Sequence, residues 1–174
     1  MQTRTQTAKH FYQFYRGRED LFRVAIPFLR LGLQNNEACL WVISESVGLL
    51  RAVDTFLREM DFVPYLEKGQ LSLLPAERWY LDRGRFSERQ VMNRFQNFIQ
   101  EKKRRGFLSF RGVGDVGWLE DKDWFKFQSY EEKIHAQVEN LPGTLICAYP
   151  IQNCSLTQTK DILDHHDSVF LTKI

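Results

Sequence analysis

The chain of 174 residues contains no apolar run approaching the ~20 residues that a membrane-spanning helix needs. Its opening, MQTRTQTAKH, lacks the apolar centre of a secretion signal. Cysteine is scarce and odd in number: Cys39, Cys147 and Cys154 are widely spaced, and the first two sit in the apolar runs CLWVI and LICAY. Thiols so placed are small core hydrophobes more often than disulfides or zinc ligands. There is no CxxC or HExxH, so neither a structural metal nor a metal cofactor is expected. The net charge is only +2, too small to imply a direct nucleic-acid partner or a membrane surface. Linkers, repeats and low-complexity stretches are also missing. These absences predict a cytoplasmic protein that forms one domain over residues 1–174.

What is present is an apolar, ring-rich composition. Hydrophobic residues make up 43% and aromatics 14%, which excludes general disorder. Extended and helical patterns alternate along the chain. KHFYQFY (9–15) reads as a strand. A helix follows from Glu19 and Asp20 to about Gln34, with acids suited to its first turn and Asn35-Asn36 as its stop. It is apolar nearly all round, and Pro27 predicts a kink or a lost hydrogen bond. EACLWVIS (37–44) fits a strand covered on both faces. Residues 46–60 read as a helix with Leu49, Leu50, Val53, Phe56 and Leu57 on its apolar stripe, and 70–74 as a strand ended by Pro75. The segment 76–85 has no period and reads as irregular. Helices at 87–105, 121–140 and 155–165 then alternate with strands at 107–113, 144–149 and 168–172. This rhythm predicts an α/β three-layer sandwich with a mostly parallel central sheet.

In such sheets ligands bind at the carboxyl ends of the strands. The residues there are Tyr15, Arg16, Ser44, Glu45, Glu77, Trp79, Tyr80, the run from Arg111 through Asp115 to Trp118, and Tyr149. Trp and Tyr clustered beside charges suggest a lined pocket, and equally suit anchors at the edge of the core. Residues 112–117 spell GxGxxG after a strand, but the following strand ends Ala148-Tyr149-Pro150 without the acid that dinucleotide binding requires. The glycines are expected to turn the chain and lay Asp115 and Trp118 over the sheet edge. Glu131 falls on an apolar helix face with Trp124, Phe127, Ile134 and Val138, so it needs a partner, and Arg111 is the candidate.

His10, His135, His165 and His166 are dispersed in sequence, and the adjacent pair suits a helix C-terminus better than one ion. The basic run 102–105 reads as a solvated helix end. There is no GxSxG elbow, and the sequence shows no obvious Ser/His/Asp or Cys/His set. Between the first strand and the first helix stands FYRGREDL in place of GxxxxGK[ST], which leaves no amide nest for a triphosphate.

The chain resembles the MEDS sensory family in residues 10–15 (HFYQFY), Pro27-Phe28-Leu29, Gly32-Leu33 and 37–42 (EACLWV). The resemblance continues at Gly69-Gln70-Leu71, Pro75-Ala76-Glu77, Trp79-Tyr80, Gly84-Arg85-Phe86, 114–118 and Tyr130-Glu131. It implies a RecA-like core with a degenerate phosphate loop and a non-catalytic role. That role would be sensing a small, hydrocarbon-derived organic ligand in prokaryotic signalling or transcriptional control. His10, Tyr15, Glu77, Trp79, Tyr80, Asp115, Trp118 and Glu131 are the positions that match. Output is expected to pass through a partner, such as a histidine kinase or a transcription regulator, or through homo-oligomerisation. Two other readings stand beside it. One is a degenerate nucleotide-binding protein, with Glu45 and Asp115 where RecA-like ATPases keep acids. The other is a protein-interaction scaffold.

Overall fold

The computed structural model describes residues 9–170. Strand β1 (Lys9–Tyr15) leads through Arg16 and Gly17 alone into α1 (Arg18–Gln34), followed by β2 (Ala38–Ile43), α2 (Leu49–Glu59) and a short α3 (Val63–Glu67). β3 (Leu71–Pro75) runs directly into α4 (Ala76–Tyr80), and β4 (Leu81–Asp82) and β5 (Arg85–Phe86) form a small hairpin. α5 (Glu88–Arg104), β6 (Phe110–Asp115), α6 (Trp124–Val138), β7 (Gly143–Pro150), α7 (Leu156–Asp164) and β8 (Ser168–Val169) complete the series. The end of the strand expected to reach 172 lies outside the described residues. The main sheet has the order β3-β2-β6-β7-β1-β8, and all its pairs are parallel. No described helix is long and apolar enough to cross a membrane.

Alternation along the strands separates two cores. On one face Cys39, Trp41, Ile43, Val113 and Ile146 pack with α1 and Phe56 of α2. On the other, Leu40, Val42, Leu145, Cys147 and Tyr149 pack with Tyr80 of α4, Phe95 of α5, Phe127 of α6 and Ile162 of α7. β2 is buried at every position, as its apolar run requires. α1 runs unbroken through Pro27, which lies on an exposed stripe with Arg23 and Leu31, so the missing N–H faces solvent instead of the core. Asn36 ends the turn in the left-handed region, at φ 58°.

Four expectations need correction. Leu50 and Leu57 of α2 are exposed, whereas Phe56 is buried as expected, together with Ala52, and Leu49 and Val53 are half-buried against the same core. The segment 76–85 is a helical turn plus a hairpin whose two loop residues, Arg83 and Gly84, both have positive φ. Gly112 and Gly114 lie within β6, a central strand, and turn nothing there. A Cβ on Gly114 would stand 2.5 Å from the Tyr80 hydroxyl, so the missing side chain admits that ring against the sheet. In the basic run, Lys102 is buried and donates to the Gly69 carbonyl at 2.7 Å.

Candidate functional site

Asp115 closes β6 fully buried, with its carboxylate saturated. Tyr15 Oη donates to it at 2.7 Å, the Ser44 amide at 2.9 Å and the Gly117 amide at 2.9 Å, and the Ser44 hydroxyl is a fourth donor. This knot ties the ends of β1, β2 and β6 together. Burial and the adjacent Asp115 push the Tyr15 phenol pKa well up, so it stays a donor. Nothing in the knot is free to hold a metal-bound phosphate. Glu19 and Asp20, in the first turn of α1, place negative charge where a phosphate would sit.

Of the other strand-end residues, Arg16, Glu45 and Glu77 are exposed. Arg111 is not the partner of Glu131. β6 directs Arg111 to the α1 face, where its Nε bonds Glu37 and its guanidinium lies 5.0 Å from the Phe28 ring centre, whereas Glu131 rises from α6 on the opposite face. One residue of strand parity decides the matter.

The aromatic residues converge as expected, but they fill the space they line. Tyr80 stacks on Trp118 with ring centres 4.7 Å apart, and Phe86, Phe127 and Tyr130 close around them. Between Trp79, Tyr80, Tyr130, Leu145 and Cys147 there remains an interior void of about 10 Å³, room for roughly one water. Of the lined pocket that the clustering suggested, little stands open: in this conformation the rings occupy the space between them. Outside the stack, Trp118 forms the floor of a surface groove of about 410 Å³ between the β4–β5 hairpin and the segment before α6. Arg94 of α5 fastens the hairpin segment from behind, donating to the carbonyls of Trp79 (2.6 Å) and Leu81 (3.0 Å). A larger concavity, about 760 Å³, lies elsewhere, between α1 and α2, and is lined by side chains of both charges together with Phe22, Ile26 and Pro27.

Behind the rings lies a polar cluster that the sequence does not announce. β1, β7, α6 and the turn after α7 bring His10, Cys147, Glu131 and His166 together, all buried, with one ligand atom from each within 4.8 Å of the others. His10 Nε2 is 3.2 Å from Cys147 Sγ and 3.4 Å from Glu131 Oε2, and His166 Nε2 is 3.2 Å from that oxygen. The His10 and His166 ring centres are 4.2 Å apart, with His135 5.6 Å from His10. Three of the four histidines therefore meet, contrary to their dispersal in sequence. The register that pairs His10 with Leu145, and the exchange of hydrogen bonds between His10 and Asp167, set this meeting.

Both Glu131 oxygens, His166 Nε2, His10 Nδ1 and the Tyr149 hydroxyl are buried without a hydrogen-bond partner. Burial, together with the neighbouring imidazoles of His166, His135 and His165, holds the His10 pKa well below its usual range, so the ring is neutral. Burial beside Glu131 pushes the Cys147 thiol pKa up.

A family model described as MEDS, the methanogen/methylotroph, DcmR sensory domain, matches residues 9–167. Comparison with curated proteins gave no match. Among solved structures, a KaiC-like protein from the hyperthermophilic archaeon Pyrococcus horikoshii OT3 superposes with a TM-score of 0.60 at 13% identity, over 90% of this chain and 67% of that one. The similarity is one of fold: the sheet and its flanking helices are RecA-like.

Proposed function

Because the chain belongs to the MEDS family of sensory domains, we propose that it is a non-catalytic receptor for a small organic molecule, taken up between the 76–86 segment and α6. The observation that carries this reading is a continuous line from solvent to the buried polar cluster. Trp118 floors the outer groove and stacks on Tyr80, Tyr80 and Cys147 wall the inner void, and Cys147 touches the His10–Glu131 group. An apolar body against the rings with one polar atom towards Glu131 or Tyr149 suits that line. A short alcohol, amine or halide has this form.

In the closed state the guest must displace Trp118 and Phe86, which moves the hairpin. Binding shifts the domain only by its differential affinity for the open and closed forms. The moved surface would then be read by a signalling partner in the cytoplasm, such as a histidine kinase or transcription regulator, or by a second copy of the chain. Against nucleotide turnover stand the two-residue link before α1, its acidic first turn and the saturated Asp115.

Thermal-shift and tryptophan-fluorescence titrations with short alcohols, amines and halogenated alkanes, run beside magnesium-ATP, test the reading. A compound at 100 times its Kd adds about 2.7 kcal/mol to stability. The expected result is stabilisation by one of these organic classes, with a fluorescence change that Trp118→Phe reduces. Stabilisation by magnesium-ATP alone, or by no compound, would overturn it.

A further inference from the structure

We propose that His10, Glu131, Cys147 and His166 form a binding site for a divalent transition-metal ion, zinc by the character of its ligands. The first ground is geometric. A tetrahedral zinc site with bonds of about 2.0–2.3 Å has ligand atoms about 3.3–3.7 Å apart. The three close separations in the cluster are 3.2, 3.4 and 3.2 Å, so only a small inward movement of the remaining pairs completes the polyhedron.

The second ground is the set of unpaired atoms. His166 Nδ1 stands 2.6 Å from the Ile162 carbonyl oxygen, which can only accept, so Nδ1 carries the proton. With Nδ1 engaged by that carbonyl, Nε2 is the ring atom left facing Glu131 Oε2, 3.2 Å away, and neither atom has a hydrogen-bond partner, an arrangement that a cation between them relieves. A backbone carbonyl holding the far nitrogen is also the usual way a metal-binding imidazole is oriented.

The third ground is charge. An isolated buried carboxylate is costly. Two neutral imidazoles, one carboxylate and one thiolate cancel the charge of a divalent ion, and mixed nitrogen, sulfur and oxygen ligands in a tetrahedron select zinc over magnesium or calcium. On binding, the Cys147 S–H bond breaks, the S–metal bond forms and the proton leaves to solvent, so affinity rises with pH. The site does not depend on the proposed organic guest. A metal would be retained whether or not any compound binds, and Cys147 and Glu131 are where the two sites would touch.

The test is elemental analysis of the full chain purified without added chelator, followed by metal removal and titration with cobalt(II). The expected results are stoichiometric zinc, intense tetrahedral d–d bands in the cobalt form, and a near-ultraviolet thiolate-to-cobalt band that Cys147→Ser abolishes. His135→Gln, which alters a neighbour outside the four, should leave all of these unchanged. Should Cys147→Ser not fold, the charge-transfer band of the unmodified chain still reports the thiolate. A metal-free protein whose cobalt titration shows only the weak spectrum of the aqueous ion overturns the proposal. So does a cobalt spectrum that loses its bands in His135→Gln but keeps them in His166→Ala.

Discussion

At the scale of single residues, some buried ionisable groups are satisfied and others are not. Asp115 receives four hydrogen bonds from three different segments. Asp115→Asn sets an amide N–H against donors and should cost about 2–4 kcal/mol, read as a lower urea midpoint. His10 is the unsatisfied case, and its effect has a definite sign. Its folded pKa lies below that of the unfolded chain, about 6.5. The unfolded state therefore binds the extra proton, and the stability from the neutral ring, complete above pH ~6.5, is lost as pH falls towards the folded value. In chelator-treated protein the urea midpoint should drop between pH 7 and 5, and His10→Gln should flatten that drop. His135, His165, His166 and Glu131 surround the ring. An unaltered slope in His10→Gln would assign the proton to one of these instead.

At the scale of elements, the 76–86 segment has the weakest local code and the most consequential position. A five-residue helix and a two-residue hairpin loop are too short to imprint a period, so AERWYLDRGR is illegible as secondary structure. Its order is tertiary: Arg94 holds two of its carbonyls, and Tyr80 and Phe86 stack into the ring cluster. Arg94→Ala should accelerate amide exchange at 79–86 with a global loss of about 1–3 kcal/mol. Uniform acceleration along the chain would contradict a locally fastened segment. By contrast, β1, α1 and β2 were readable because an acidic first turn, an Asn stop and an uninterrupted apolar run each act locally. Glu131's burial was readable from its helical spacing, but its partners were not. His10 and Cys147 stand 137 residues apart, and only strand register and parity decide that they meet Glu131 while Arg111 faces away.

At the scale of the whole molecule, the parallel sheet divides the interior into two cores, and the proposed chemistry belongs to one of them. The α1–α2 face holds the Trp41–Phe56 contact, with ring centres 6.2 Å apart. The α4–α7 face holds the rings, the void and the polar cluster. Perturbations on opposite faces share no side-chain partner and should add. Phe56→Ala, at a fully buried position, should cost about 3–5 kcal/mol yet leave the stability gained from metal or organic ligand unchanged. Gly114→Ala, whose new methyl meets the Tyr80 hydroxyl, should cost about 1–3 kcal/mol through overpacking and abolish the response to the organic guest. Ligand-induced shifts measured on the two variants and on the double variant decide the matter. If Phe56→Ala erased the response as fully as Gly114→Ala, the sheet would be transmitting strain between its faces, and the receptor would have to be sought in both cores together.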